Sequence, residues 1–246
     1  MAKLKIKGSF DFKQDLKSQQ MDYEFCTRPL FHGTRKYAIE VSEEKRLEFF
    51  KACYEVALFA KKLISIGKIK YNIVIMQVGE NSAFEYGDLY LISTYTTAIS
   101  YAHNAAGELG KNVFLTCEEI KRSGIELDNR IQLLIDMVMK EYENYKVSEK
   151  IILVYKNVKF VDLYTCGGSP FIDVDDVEYT QYMIEELYNE KEKLGSLPNT
   201  SFRLKNPEKY EAYIIGEEDL RNGFAAFTNV IDVDGHLRMC RKEWDI

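Results

Sequence analysis

Apolar positions recur at helical spacing in residues 41–65, "VSEEKRLEFFKACYEVALFAKKLIS": Leu47, Phe50, Tyr54 and Leu58, with Lys61 closing the row. Ser42 stands where an N-cap is needed, and Glu43 and Glu44 complement the helix dipole in the first turn. The pattern predicts a helix. Asp128–Tyr145 predicts a second, strongly amphipathic one with Asp128 as its N-cap. Residues 175–195 predict a third, ending at Gly195. "TYTTAISYAHNAAGELG", residues 94–110, reads as a helix that stops at glycine. Other stretches read as strands, from β-branched content and bounding glycines. They are "YNIVIMQVG" (71–79), "DLYLIST" (88–94), "NVFLTCEEI" (112–120), one or two strands in 150–166, "KYEAYIIGEEDL" (209–220) and residues 224–244, with a turn at "VDG". "LFHGTR" (30–35) begins as a buried strand, yet carries an imidazole and then a glycine.

Strands outnumber helices in this reading and do not alternate with them regularly, as a doubly wound sheet requires. No G-x-G-x-x-G is present, so a Rossmann site has no support. The expectation is an α+β fold with a largely antiparallel core. No repeat or low-complexity linker divides the 246 residues, so one domain over 1–246 is expected.

Charge narrows the function classes. The formal net charge is −6, against the basic surplus of proteins that grip duplex DNA non-specifically; a local basic patch remains compatible. There is no apolar run long enough for a transmembrane helix, so no membrane partner is expected. The first twenty residues are polar and lysine-rich without an apolar signal core. That points to a cytoplasmic protein, or to one delivered into a host cytosol without a Sec signal. The "KLKIK" segment reads as a solvated strand or arm. Five cysteines, Cys26, Cys53, Cys117, Cys166 and Cys240, are scattered without a C-x-x-C pair, so they read as thiols and not as metal ligands. His103 and His236 have no partners at metal-ligand spacing.

Three segments carry candidate chemistry: "LFHGTR", "GDLYLISTYTTAISYA" and "YEAYII". In this order they resemble the signature segments of the ADP-ribosyltransferase superfamily, in the His-Tyr-Glu branch that includes diphtheria toxin and the poly(ADP-ribose) polymerases. The matching positions are His32-Gly33-Thr34, Tyr90, Tyr101 and Glu211. The two tyrosines are eleven residues apart across a strand-to-helix junction, similar to the family pattern. The resemblance implies a split antiparallel sheet with flanking helices, with the helix near 121–149 as an insertion. It implies NAD as co-substrate, no metal, and an ADP-ribosyltransferase that passes ADP-ribose to a protein or nucleic acid. By analogy it also implies a bacterial or phage toxin or effector, with a neutralising antitoxin protein as partner.

The residue types suit that chemistry on their own terms. Cleaving the glycosidic bond of NAD passes through an oxocarbenium-like transition state, which a carboxylate such as Glu211 stabilises. Tyr90 and Tyr101 can stack on the flat cationic nicotinamide. Gly33 leaves its backbone open to a ligand, Thr34 adds a hydroxyl, and His32 offers a ring nitrogen to a ribose hydroxyl. Arg28 and Arg35 suit the pyrophosphate. Each has a plainer rival reading: a core histidine, core aromatics, a turn glycine, a solvated glutamate, solvated arginines. Glu217, Glu218 and the acids of "IDVDG" compete with Glu211. Lys209 stands where arginine-modifying relatives carry an extra glutamate, which argues against arginine as acceptor. The alternatives are an NAD-dependent RNA 2′-phosphotransferase, an NAD glycohydrolase, and a catalytically inactive NAD-binding interaction module.

Overall fold

The computed structural model describes residues 4–13, 20–80, 89–165, 168–189 and 200–228. Of these, 54% are helical and 19% are in strands, so helix content is well above the sequence-based expectation. The chain divides into two compact units. One comprises Met1–Thr34, Asp88–His103 and Lys150–Ile246; the other comprises Arg35–Gly87 and Asn104–Glu149. The segment expected as an insertion near 121–149 belongs to this second unit.

The first unit is built on strands β1 (Lys5–Ser9), β2 (Phe25–Cys26), β3 (Leu30–Arg35), β4 (Leu89–Ile92), β5 (Lys150–Tyr155), β6 (Val158–Lys159), β7 (Leu163–Tyr164), β8 (Ser201–Leu204) and β9 (Glu211–Ile215). Where a split antiparallel core was expected, these strands form one seven-stranded sheet in the order β1-β9-β5-β3-β4-β8-β7, beside a two-stranded ribbon β2-β6. The β3/β4, β4/β8, β8/β7 and β5/β9 pairs are antiparallel, but β1 runs parallel to β9, so the sheet is mixed. The "KLKIK" arm forms most of β1, exposed along its length.

Counting helices in chain order, α1 (Lys36–Glu40), α2 (Glu43–Ser65) and α3 (Ile73–Gln77) precede α4 (Tyr95–His103), which packs on the sheet. Phe31, Ile152, Val154 and Ile215 of the sheet share one apolar cluster with Tyr95, Ala98, Ile99 and Ala102 of α4. Phe224 joins them from a helix at Leu220–Phe227. Residues 224–227 were expected to open a closing strand. They are helical because this turn buries Phe224 and brings Gly223 against the Tyr95 ring. Positions 229–246, including "VDG", lie outside the described residues.

The second unit is helical, with α5 (Gly107–Ser123) and α6 (Asn129–Val147) packed with α2 and α3. The predicted caps of α2 and α6 are present: Ser42 Oγ accepts from the Lys45 N–H and Asp128 Oδ1 from the Ile131 N–H. The buried face of α2 differs from the expected row. Phe49, Ala52, Cys53, Val56, Ala57 and Ala60 are buried, whereas Leu58 is exposed. Small side chains let neighbouring helices approach closely there, so the deeper contact runs along the alanines.

Two expected strands are helices. In "YNIVIMQVG", Asn72 Oδ1 accepts from the Val74 and Ile75 N–H groups at 3.0 and 3.2 Å, which starts a helical turn. Val74, Ile75 and Val78 are buried while Ile73 is exposed, a spacing no strand provides. In "NVFLTCEEI", Val113, Cys117 and Ile120 are buried at helical spacing. The helix expected over 94–110 ends early, at His103. Ala106 and Gly107 have φ of 57° and 70°, which break it before α5 begins. The last helices, α7 (Val177–Asn189) and α8 (Leu220–Phe227), complete the first unit.

Candidate functional site

Alternation along β3 decides what each residue of "LFHGTR" can do. Phe31 and Gly33 face α4, while His32 and Thr34 take the other side and are half-buried. Gly33 is explained by this contact. A Cβ there would lie 1.7 Å from the Ala98 carbonyl oxygen and 2.7 Å from the Ala102 nitrogen, both backbone atoms of α4. The expected role, open backbone for a ligand, is thus corrected on this side. The glycine lets helix and strand touch.

Tyr90 lies on the α4 face of the sheet. Phe31 of β3 stands opposite Ile92 of β4, and cross-strand partners share a face, as do residues two apart in one strand. Ile92 and Tyr90 therefore belong to the side that bears Phe31, and Tyr90 is 37% exposed there. Tyr101 is carried by α4 one position before Ala102, which packs over Gly33, and is 40% exposed. The two tyrosines, both exposed, are thus carried by the strand and the helix that meet at this junction.

His32 bonds through Nδ1 to the Tyr90 carbonyl oxygen at 2.9 Å. A carbonyl only accepts, so Nδ1 carries the proton. Burial lowers the His32 pKa, and the Tyr90 hydrogen bond opposes this in part. The ring is therefore neutral, with Nε2 as an acceptor. This gives a pH prediction. An unfolded chain regains the ordinary value of 6.5 and binds more protons than the folded one, so the stability linked to His32 is lost as pH falls through that value. His32→Asn, which keeps a donor for Tyr90, is expected to flatten the decline in unfolding free energy between about pH 7 and 5. Denaturant titrations at each pH check this; an unchanged slope contradicts it.

Glu211 opens β9 and is exposed. It shares a sheet face with Tyr213 and Ile215, which pair with Val154 and Ile152 and pack in the cluster under α4. Glu211 is therefore on the same face as Gly33 and Tyr90, two strands from β3 with β5 between. Its chain neighbour is anchored. Tyr210 Oη donates to Asp162 Oδ2 at 2.5 Å, and accepts from the Lys159 N–H at 3.3 Å. Burial first, and then the Asp162 carboxylate, hold the Tyr210 phenol above its ordinary range, so it stays a donor. Tyr210→Phe is expected to lower stability by about 1.5 kcal/mol, the scale of a hydrogen bond to a charged group. Chemical denaturation measures it, and no loss would leave the anchor without weight.

The rival carboxylates are engaged or out of view. Glu217 accepts from both Lys150 Nζ and the Lys150 N–H, at 3.0 and 3.2 Å. Glu218 sits past the strand in a short 3₁₀ turn, and "IDVDG" lies outside the described residues. The arginines expected at a pyrophosphate are used structurally. Arg28 donates to the Leu187 carbonyl, and Arg35 is buried and donates to the Ser148 carbonyl. Cys26, Cys53 and Cys117 are buried thiols, Cys26 and Cys117 pushed up to about 12 by burial. Cys166, Cys240 and His236 lie outside the described residues. Among the described residues no His, Cys, Asp and Glu group could hold a metal ion, and no helix is long and apolar enough to cross a membrane.

Register thus puts Gly33, Tyr90 and Glu211 on one face of the sheet, with α4, which bears Tyr101, packed over Gly33, and sets His32 and Thr34 on the other side of β3. Sequence reading missed Asp162, the partner of Tyr210, and Arg203, which stands opposite Tyr90. Strand register alone reveals such pairs. Comparison of the chain with protein-family models, curated proteins and solved structures finds no match.

Proposed function

We propose that the chain is an NAD-consuming ADP-ribosyltransferase of the His-Tyr-Glu type. One observation carries this reading: Tyr90 and Glu211, distant in the chain, fall on a single sheet face, the one on which the helix bearing Tyr101 packs. In this reading the nicotinamide ring lies against Tyr90 and Tyr101, whose faces suit a flat cation. Glu211 accepts from a ribose hydroxyl and faces the positive charge that develops at C1′. As the C1′–N bond breaks, its electron pair leaves with nicotinamide and neutralises the ring. A nucleophile of the acceptor bonds to C1′ and gives its proton to water. His32 lies on the other side of β3, so in this reading it positions the Tyr90 backbone through Nδ1 and does not itself meet the ribose, a departure from the role the resemblance implies. Water in place of the acceptor would make the enzyme an NAD glycohydrolase.

The test is incubation of the protein with NAD labelled in the adenylate, with and without cell lysate. Nicotinamide release is followed by chromatography and label by gel. Nicotinamide release with label on a macromolecule supports transfer. Release without label supports hydrolysis. Absence of both overturns the proposal and favours a binding module.

A further inference from the structure

Arg203 of β8 stands directly opposite two tyrosines at once: Tyr90 of β4 on one side and Tyr164 of β7 on the other. The three form a row across the strands at about 4.8 Å steps. Register places the row on the face that bears Phe31 and Gly33. Lys205, two residues after Arg203, continues the same side. Its Nζ lies 4.9 Å from the centre of the Tyr164 ring and donates to Tyr164 Oη at 3.2 Å. The opposite face of these strands is filled by Leu89, Leu91, Leu163, Phe202 and Leu204, all buried, whereas Arg203 and Tyr164 are half-buried and Lys205 is exposed. The connection from the row to Glu211 adds Lys209 against one acid, Glu208. The acids of this region, Asp162, Glu208 and Glu211, equal Arg203, Lys205 and Lys209 in number, so what sets the row apart is its alternation of rings and cations next to the proposed nicotinamide site.

We infer that this row receives the acceptor, and that the acceptor is a single-stranded nucleic acid. The inference rests on the ADP-ribosyltransferase reading. Alternating ring and cation suits a strand whose bases stack on tyrosine while its phosphates meet Arg203 and Lys205. A duplex hides its base faces and has no use for the rings. Tyr90 belongs to both the row and the nicotinamide site, so a base held beside it presents an oxygen or nitrogen to C1′. That atom forms the new bond as the bond to nicotinamide breaks, and its proton goes to water.

The experiment uses the full chain, labelled NAD and three probes: a single-stranded DNA of about ten nucleotides, its RNA counterpart and the DNA duplex, with lysate protein in parallel. Label on a single strand in preference to duplex and protein is expected. The double variant Arg203→Gln/Lys205→Gln is expected to lower, by about ten-fold at 50 mM salt, both the affinity for a fluorescent single strand and the fraction of released ADP-ribose that ends on it. Lys205→Glu, at an exposed position, serves if the double variant fails to fold. Label on protein alone, equal labelling of duplex, or binding and transfer indifferent to these substitutions overturns the inference while leaving nicotinamide release intact. No nicotinamide release from the parent protein overturns the underlying reading and this inference with it.

Discussion

Glu211→Gln is expected to lower the rate of nicotinamide release by about 10²–10³-fold, the cost of removing one preorganised electrostatic group from a charged transition state. Gln matches Glu in shape and, in the proposed site, keeps a partner for the ribose hydroxyl. What it lacks is the negative charge, which matters only as C1′ becomes cationic. NAD affinity, read by calorimetry, should therefore stay close to that of the parent, while turnover collapses. Equal losses in both would mean that the carboxylate binds substrate without favouring the transition state. No loss in turnover would remove Glu211 from the mechanism.

Gly33→Ala is expected to be the most damaging single-methyl substitution in the sheet. The added carbon would sit 1.7 Å from the Ala98 carbonyl oxygen, so β3 and α4 must separate. Neither obstacle is a side chain that can swing aside; both are helix backbone. A cost of about 3 kcal/mol or more follows, with a fall in melting temperature of roughly 6–12 °C. At Gly223 the equivalent carbon would meet the end of the Tyr95 ring, at 2.2 Å from Oη, so the obstacle is a side chain and the cost should be lower. Thermal melts of the two alanine variants compare them directly. A Gly33→Ala protein as stable as the parent would mean that the helix is not seated on the strand as described. In the proposed site, separation at this point also moves the helix that bears Tyr101 off the strand, so NAD affinity should suffer with stability.

Local chemistry made some of this fold legible and hid the rest. Ser42 and Asp128 announce their helices because a cap is a short-range interaction, complete within three residues. "DLYLIST" was readable as a strand because its faces are largely buried, whereas of "KYEAYIIGEEDL" only Glu211–Ile215 is a strand, bounded by 3₁₀ turns at Pro207–Lys209 and Glu217–Asp219. "YNIVIMQVG" and "NVFLTCEEI" misled because β-branched and aromatic residues serve a buried helix as well as a strand. The arbiter was tertiary: Val74, Ile75 and Val78 bury together only in a helical turn. The candidate site was legible as residue types in order. Their faces were not, because parity across the sheet depends on register. The meaning of Gly33 changed for the same reason. Its neighbour is Ala98, far along the chain, and only the packed structure shows that a helix occupies the space a ligand had been expected to use.

The strand order has a consequence for synthesis. β9, which begins with Glu211, lies between β1 and β5 and pairs with both. While the chain is being made, β1 waits for a partner that emerges some two hundred residues later. Until then one edge of β5 stays open. The last sheet strand among the described residues therefore both seals that edge and delivers the proposed catalytic carboxylate. A nascent or truncated chain that stops before residue 211 can collect its tyrosines and its glycine, but has neither a finished sheet nor the group that acts on C1′. Catalytic competence in the proposed reaction arrives only with completion of the sheet, in one late and long-range step.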